Sequence, residues 1–183
     1  PWPRLLARFL EKHRGDGYQW LPPSRRHLHR GLYLPARQNQ RLNLNVALDA
    51  SGSCTAELPN FLSELCGILG SFDDVSLRLL VFDQGIRQDT HLATQDLHQL
   101  KSMTIEGGGG TDFRPVFDAV ADDPTPLIVL TDGCARAPKQ APAHPVLWAL
   151  VDGQRAPAPW GHCVTIPSVQ PDPASSMHYA CGS

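Results

Sequence analysis

From Leu42 onward the chain alternates short apolar runs with stretches of helical spacing, and two of those runs end the same way. Leu42–Leu48 leads straight into Asp49, and Leu127–Thr131 leads straight into Asp132. Strands apolar at nearly every position must be covered on both faces, as in a parallel sheet sandwiched between helices. Val75–Phe82 and Val146–Val151 predict two more such strands, and Cys163–Ile166 a last one. Leu58, Phe61, Leu62, Leu65 and Leu69 recur at helical spacing and predict a helix over Glu57–Leu69 that stops near Gly70. Phe113–Val120 predicts another, and Asp83-Gln84-Gly85 turns the chain into an edge strand over Ile86–His91. This alternation predicts an α/β fold: a doubly wound, mostly parallel central sheet with helices on both faces.

The 183 residues suffice for one domain with a real core. The expected division is a basic N-terminal arm over 1–41, the α/β domain over 42–167 and a mobile tail over 168–183, where Pro171, Pro173, Ser175 and Ser176 gather. Within the arm, Leu5, Leu6, Phe9 and Leu10 predict one face of a short amphipathic helix over 3–13. The formal charge of −2 is unevenly spread. Residues 1–42 hold nine of the sixteen Lys and Arg against only Glu11 and Asp16, about +7, which leaves about −9 for the rest.

The five cysteines (Cys54, Cys66, Cys134, Cys163, Cys181) form no C-x-x-C pair, which argues against a disulfide framework and for a reducing compartment. No apolar run approaches the roughly 20 residues of a membrane span. Nor do residues 1–14 read as a secretory leader, so the expected location is the cytoplasm.

Chemistry concentrates in three segments: Asp49-Ala50-Ser51-Gly52-Ser53, Gly107-Gly108-Gly109-Gly110-Thr111-Asp112, and Thr131-Asp132-Gly133. In a doubly wound sheet, loops after adjacent strands meet at the carboxyl edge. Carboxylate and hydroxyl oxygens collected there are hard ligands, suited to Mg²⁺ and acceptable to Mn²⁺ or Ca²⁺. The competing reading of Ser51 and Ser53 is a strand end with a Ser-capped helix starting at residues 53–57. Asp112 reads as a helix N-cap rather than a ligand. The glycine run lacks the G-K-[ST] of a phosphate-binding loop and does not follow the first strand, which argues against a nucleotide.

All five positions Asp49, Ser51, Ser53, Thr111 and Asp132 match, in order, the metal-ion-dependent adhesion site of the von Willebrand A (VWA) family, which the chain therefore resembles. The resemblance implies a Rossmann-like VWA fold in which Ser51, Ser53 and Thr111 ligate a cation through hydroxyls. Asp49 and Asp132 would act mainly through water, leaving one position for a partner's Asp or Glu. Haloacid-dehalogenase phosphatases resemble the Asp49 segment too, but their second aspartate would fall at Ser51, which removes the general acid.

A narrower likeness rests on Gly107–Val120 (GGGGTDFRPVFDAV), Tyr18-Gln19-Trp20, Pro22 to Arg26, and Leu32-Tyr33-Leu34-Pro35. These segments look like the C-terminal VWA-like domain of a family of bacterial metallopeptidases. Members carry an H-E-x-x-H zinc motif that this sequence lacks, so no catalytic residue is expected here and the chain is expected not to be an enzyme. The resemblance implies a metal-dependent protein-binding module in an intracellular assembly, with a MoxR-type AAA+ ATPase as a partner. The alternative is the non-catalytic C-terminal domain of a zinc metallopeptidase or other hydrolase whose catalytic half lies outside this chain.

Other groups read as structural. Cys54 and Cys134 are expected to be buried thiols, and His27 and His29 to be solvated. The run Arg25 to Arg30, near Trp20 and Tyr33, could meet nucleic acid. The acidic body would repel a polyanion, so docking of the arm on that body is the favoured reading.

Overall fold

The computed structural model of the chain describes residues 2–13, 41–151 and 155–167. Helix α1 (Trp2–His13) precedes β1 (Arg41–Asp49), α2 (Leu58–Leu69), β2 (Asp74–Phe82) and β3 (Ile86–Ala93). A 3-10 helix over Thr94–Ser102 follows, then α3 (Arg114–Ala119), β4 (Leu127–Thr131), β5 (Val146–Val151) and β6 (His162–Ile166). The strands form one sheet in the order β3-β2-β1-β4-β5-β6. All neighbours are parallel except β3, which runs antiparallel to β2 at the edge. This is the expected doubly wound α/β architecture.

Burial explains the order. Every residue of β4 and β5 is buried, as central parallel strands with both faces covered require. β3 exposes much of its length, as an edge strand can. Successive β1 side chains then serve opposite faces. Val46 and Leu48 join the core beneath α1, α2 and the 3-10 helix, with Leu6, Leu10, Phe61, Leu65 and Leu77. Ala47 joins the core beneath α3, with Phe82, Phe113, Phe117, Val129 and Trp148.

Helix α1 differs from its predicted stripe. The buried positions are Trp2, Leu6, Phe9 and Leu10, while Leu5 is 54% exposed. Counting from Trp2, those positions fall at i, i+4, i+7 and i+8, and Leu5 lies off that line. Trp2 stacks on Phe61 of α2 at 5.8 Å, and Phe9 meets His162 of β6 edge-on at 6.0 Å. The predicted helix over Phe113–Val120 is shorter, six residues over Arg114–Ala119. The 3-10 helix was not anticipated; Leu97 and Leu100, three apart as that helix prefers, pin it to the core.

The basic run with His27 and His29, the aromatics Trp20 and Tyr33, Cys181 and the tail over 168–183 lie outside the described residues. Among the described residues no helix is long and apolar enough to cross a membrane.

The strand order matters most at β1. The chain leaves β1 toward β2 on one side, and β4 enters on the other. Loops after β1 and β4 therefore part at the carboxyl edge, at the crevice where such sheets bind ligands.

Candidate metal centre

β1 ends by delivering Asp49 to that crevice with its side chain fully buried. A tight turn follows: the Ser51 N–H donates to Asp49 Oδ1 at 3.0 Å, so the aspartate folds the next residues around itself. Further turns close as the Cys54 N–H reaches the Ser51 carbonyl (3.0 Å) and the Glu57 N–H reaches that of Cys54 (3.1 Å). The serines cap no helix. α2 starts only at Leu58, with Glu57 in the capping position and no side-chain cap bond. The Ser51 and Ser53 hydroxyls lie 3.3 Å apart, and Ser53 Oγ donates across the crevice to Asp132 Oδ2 at 2.5 Å.

β4 supplies the opposite wall. Thr131 Oγ1 donates to Asp49 Oδ2 at 2.7 Å and accepts the Gly133 N–H at 3.1 Å. Asp132 Oδ1 accepts the Cys134 N–H at 2.9 Å. Burial alone would raise the Asp132 pKa, but the bonds from Ser53 and Cys134 outweigh it and hold the carboxyl below its usual range. Thr111 Oγ1 completes the set, 3.3 Å from each Asp49 oxygen. The structure thus brings together all five residues expected from the sequence.

The loop carrying Thr111 is glycine-rich because it lies against other backbone. A Cβ on Gly107 would stand 2.0 Å from the Ala50 carbonyl oxygen, and Gly108 has φ +146°. One on Gly109 would meet Asp83 Oδ2 at 3.0 Å. Asp83 is the member of the neighbourhood that sequence reasoning missed. It is buried at the end of β2, and its carbonyl accepts the Asp112 N–H at 2.8 Å, next to Thr111. Arg87 Nε lies 2.9 Å from both Asp83 oxygens, which holds that carboxyl below its usual range. Nothing in Asp83-Gln84-Gly85 beyond a turn signal announces this role. Thr131 was visible in its segment but not as an orienter of Asp49.

Asp112 takes the Arg114 N–H at 2.9 Å, as a cap would, although Phe113 occupies the position before the helix. It is no part of the oxygen cluster. Cys54 is buried, as expected, with its sulfur within 4.8 Å of an oxygen of Asp49 and of Asp132. Burial first, then the two carboxylates, pushes its thiol pKa up to about 12, so it is a neutral thiol. The expectation for Cys134 is corrected: it is exposed, on the surface loop after β4. There its thiol, hydrogen-bonded to Asp132, is also shifted upward.

The donors fit a hard divalent cation. Every member of the set offers oxygen, and two members are carboxylates able to balance a double positive charge. Hydrogen bonds link them in a chain from Thr111 through Asp49, Ser51 and Ser53 to Asp132. Fold and cluster together define a class, a doubly wound α/β domain with carboxylate and hydroxyl oxygens gathered at its switch point. Residues 44–167 match the model of the VWA-like domain family (DUF2201), and the chain belongs to that family. The resemblance to VWA domains read from the sequence is thereby borne out.

Solved structures with similar folds include BatB from Bacteroides thetaiotaomicron (16% identity, TM-score 0.46, covering 60% of this chain and 66% of that one). An aerotolerance-related membrane protein from Bacteroides fragilis gives 15%, 0.46, 59% and 66%. The ArnB paralog VWA2 from Sulfolobus acidocaldarius gives 12%, 0.43, 61% and 35%. The matched region thus spans just under two thirds of the first two chains and about a third of the last. No curated protein matches. A VWA-like fold supports a protein-interaction module in general.

Proposed function

We propose that this domain holds one divalent cation on Asp49, Ser51, Ser53, Thr111 and Asp132 and uses it to grip an Asp or Glu of a partner protein. Mg²⁺ is the first choice, with Mn²⁺ or Ca²⁺ as substitutes. The observation that supports this most is the convergence of residues distant in sequence on one crevice: Ser53 on Asp132 and Thr111 on Asp49. When bound, the cation supplies a doubly positive anchor for a carboxylate. The chain's own residues hold the ligands in place: Thr131 orients Asp49, the Cys134 N–H orients Asp132, and Asp83 with Arg87 backs the Thr111 loop.

We take the domain for a binding module rather than an enzyme, acting in an intracellular assembly. In support, among the described residues no His or Lys belongs to the hydrogen-bonded set around Asp49 and Asp132. Its likeness to the metallopeptidase family makes a MoxR-type AAA+ ATPase the first partner to test. That same likeness, carried by Gly107–Val120, favours a second reading: the non-catalytic domain of a hydrolase whose catalytic half lies elsewhere.

Cation-dependent thermal stability tests the central claim. A ligand at a hundredfold excess over its Kd stabilises by about 2.7 kcal/mol, enough to move Tm by several degrees. Wild-type protein should show that rise in millimolar Mg²⁺ or Mn²⁺, reversed by EDTA. Asp49→Ala should abolish it, as should Ser53→Ala, whose exposed position leaves the core intact. A wild-type Tm indifferent to both cations would sink the proposal.

A further inference from the structure

An open groove of about 620 Å³ runs beside the oxygen cluster, sharing Thr111 with it and walled by Gln84, Asp112, Arg114 and Arg136. Two guanidinium groups therefore stand next to the proposed cation, in different states. Arg114 is committed to Asp112, with Nη2 at 2.6 Å and Nε at 3.0 and 3.1 Å from the carboxylate. Arg136, four residues beyond Asp132 on the loop after β4, is exposed and has no ion pair or hydrogen bond among the described residues.

A charge count then isolates one group. A divalent cation offsets Asp49 and Asp132, and Arg114 offsets Asp112. What is left uncompensated in the groove is Arg136, on a body that is about −9 from residue 43 onward. An acidic ligand entering this groove meets one unpaired guanidinium beside the proposed cation, and such complementarity governs specificity more than raw affinity. Guanidinium is suited to the task, because its planar fork takes a carboxylate through two parallel hydrogen bonds.

We propose that the partner segment carries two acidic side chains, one for the cation and a second, a short distance along the peptide, for Arg136. Arg136 is then the residue that selects among acidic partners. This rests on the metal-binding reading above and deepens it from a single carboxylate to an acidic peptide lying along the groove.

The test uses fluorescein-labelled Gly/Ser decapeptides bearing either one glutamate or two, the pair separated by one to four residues. Each is titrated to millimolar protein in Mn²⁺ and in EDTA, and anisotropy is read. The single-glutamate peptide should bind only in Mn²⁺. At one or more spacings the second glutamate should tighten binding about two- to fivefold, the range of an exposed ion pair. Arg136→Ala should erase that gain. Lys101→Ala, which removes the same charge from the 3-10 helix and not from the groove wall, should keep it.

The Arg136 assignment is overturned if no spacing tightens binding, or if the gain survives in Arg136→Ala while single-glutamate binding still needs Mn²⁺. A different failure marks the metal reading itself: single-glutamate binding that ignores Mn²⁺, together with an unmoved wild-type Tm. That outcome removes both claims.

Discussion

Asp49 accepts hydrogen bonds from the Ser51 N–H and from the Thr131 hydroxyl, so this buried carboxylate is oriented before any ligand arrives. His144 is the opposite case. Its side chain is buried against Phe117, ring planes 10° apart, and neither ring nitrogen has a hydrogen-bond partner among the described residues. Burial lowers its pKa, and the nearby charge of Asp123 only partly opposes that. The neutral ring is therefore favoured in the fold, while in the unfolded chain the same group titrates near ~6.5. As pH falls from that value toward the depressed folded one, only the unfolded chain gains the proton, so stability falls. Below the folded value both states are protonated and the slope ends. Urea denaturation from pH 8 to pH 5 should show this loss in the wild type and a smaller one in His144→Leu. An identical slope in the two proteins would exonerate the histidine. Sequence could not have ranked these residues so differently. Asp49 stood out because Ser51 and Ser53 lie two and four positions on, a local pattern; His144 in Ala143-His144-Pro145 carries no local mark of burial.

At the scale of elements, local pattern and tertiary placement separate again. Strands β1, β2, β4 and β5 were legible because apolar runs bounded by Asp or Gly leave little choice. The 3-10 helix was not, since only Leu97 and Leu100 of its nine residues are buried and such spacing is common in loops. The glycine run could be read as a loop able to approach the site. What it approaches emerged only from the fold: the Ala50 carbonyl on one side and the Asp83–Arg87 pair on the other. Gly107→Ala tests that contact. The new methyl would stand 2.0 Å from the Ala50 oxygen, a backbone atom, and a Cβ is itself fixed to the backbone, so the loop itself must shift. Such overpacking costs about 1–3 kcal/mol and should carry Thr111 away from Asp49. The expected result is a protein whose far-UV spectrum is native and whose Mn²⁺-dependent rise in Tm is markedly reduced. A full cation response would mean that the loop relaxes without moving Thr111.

For the whole molecule, the question is what fastens α1 to the sheet. The charge division, about +7 before residue 43 and −9 after it, points to electrostatic docking. The contacts point elsewhere. Among the described residues no ion pair joins α1 to the body; instead Trp2, Leu6, Phe9 and Leu10 enter the same core as Phe61 and Val164. The magnitudes are unequal. Exposed ion pairs contribute roughly 0–1 kcal/mol each and are screened within about 3 Å at 1 M salt. A fully buried leucine truncated to alanine costs about 2–5 kcal/mol. Leu6 is fully buried and fits the second class. Leu6→Ala should therefore lower the unfolding free energy by about 2–5 kcal/mol in urea denaturation. Raising NaCl to 1 M should leave the wild type's stability nearly unchanged. Charge-driven docking predicts the reverse ranking, with salt doing the damage and Leu6→Ala doing little. If apolar burial holds α1, its exposed basic groups, Arg8 and Lys12 among them, are not what fastens it to the acidic body they outwardly match.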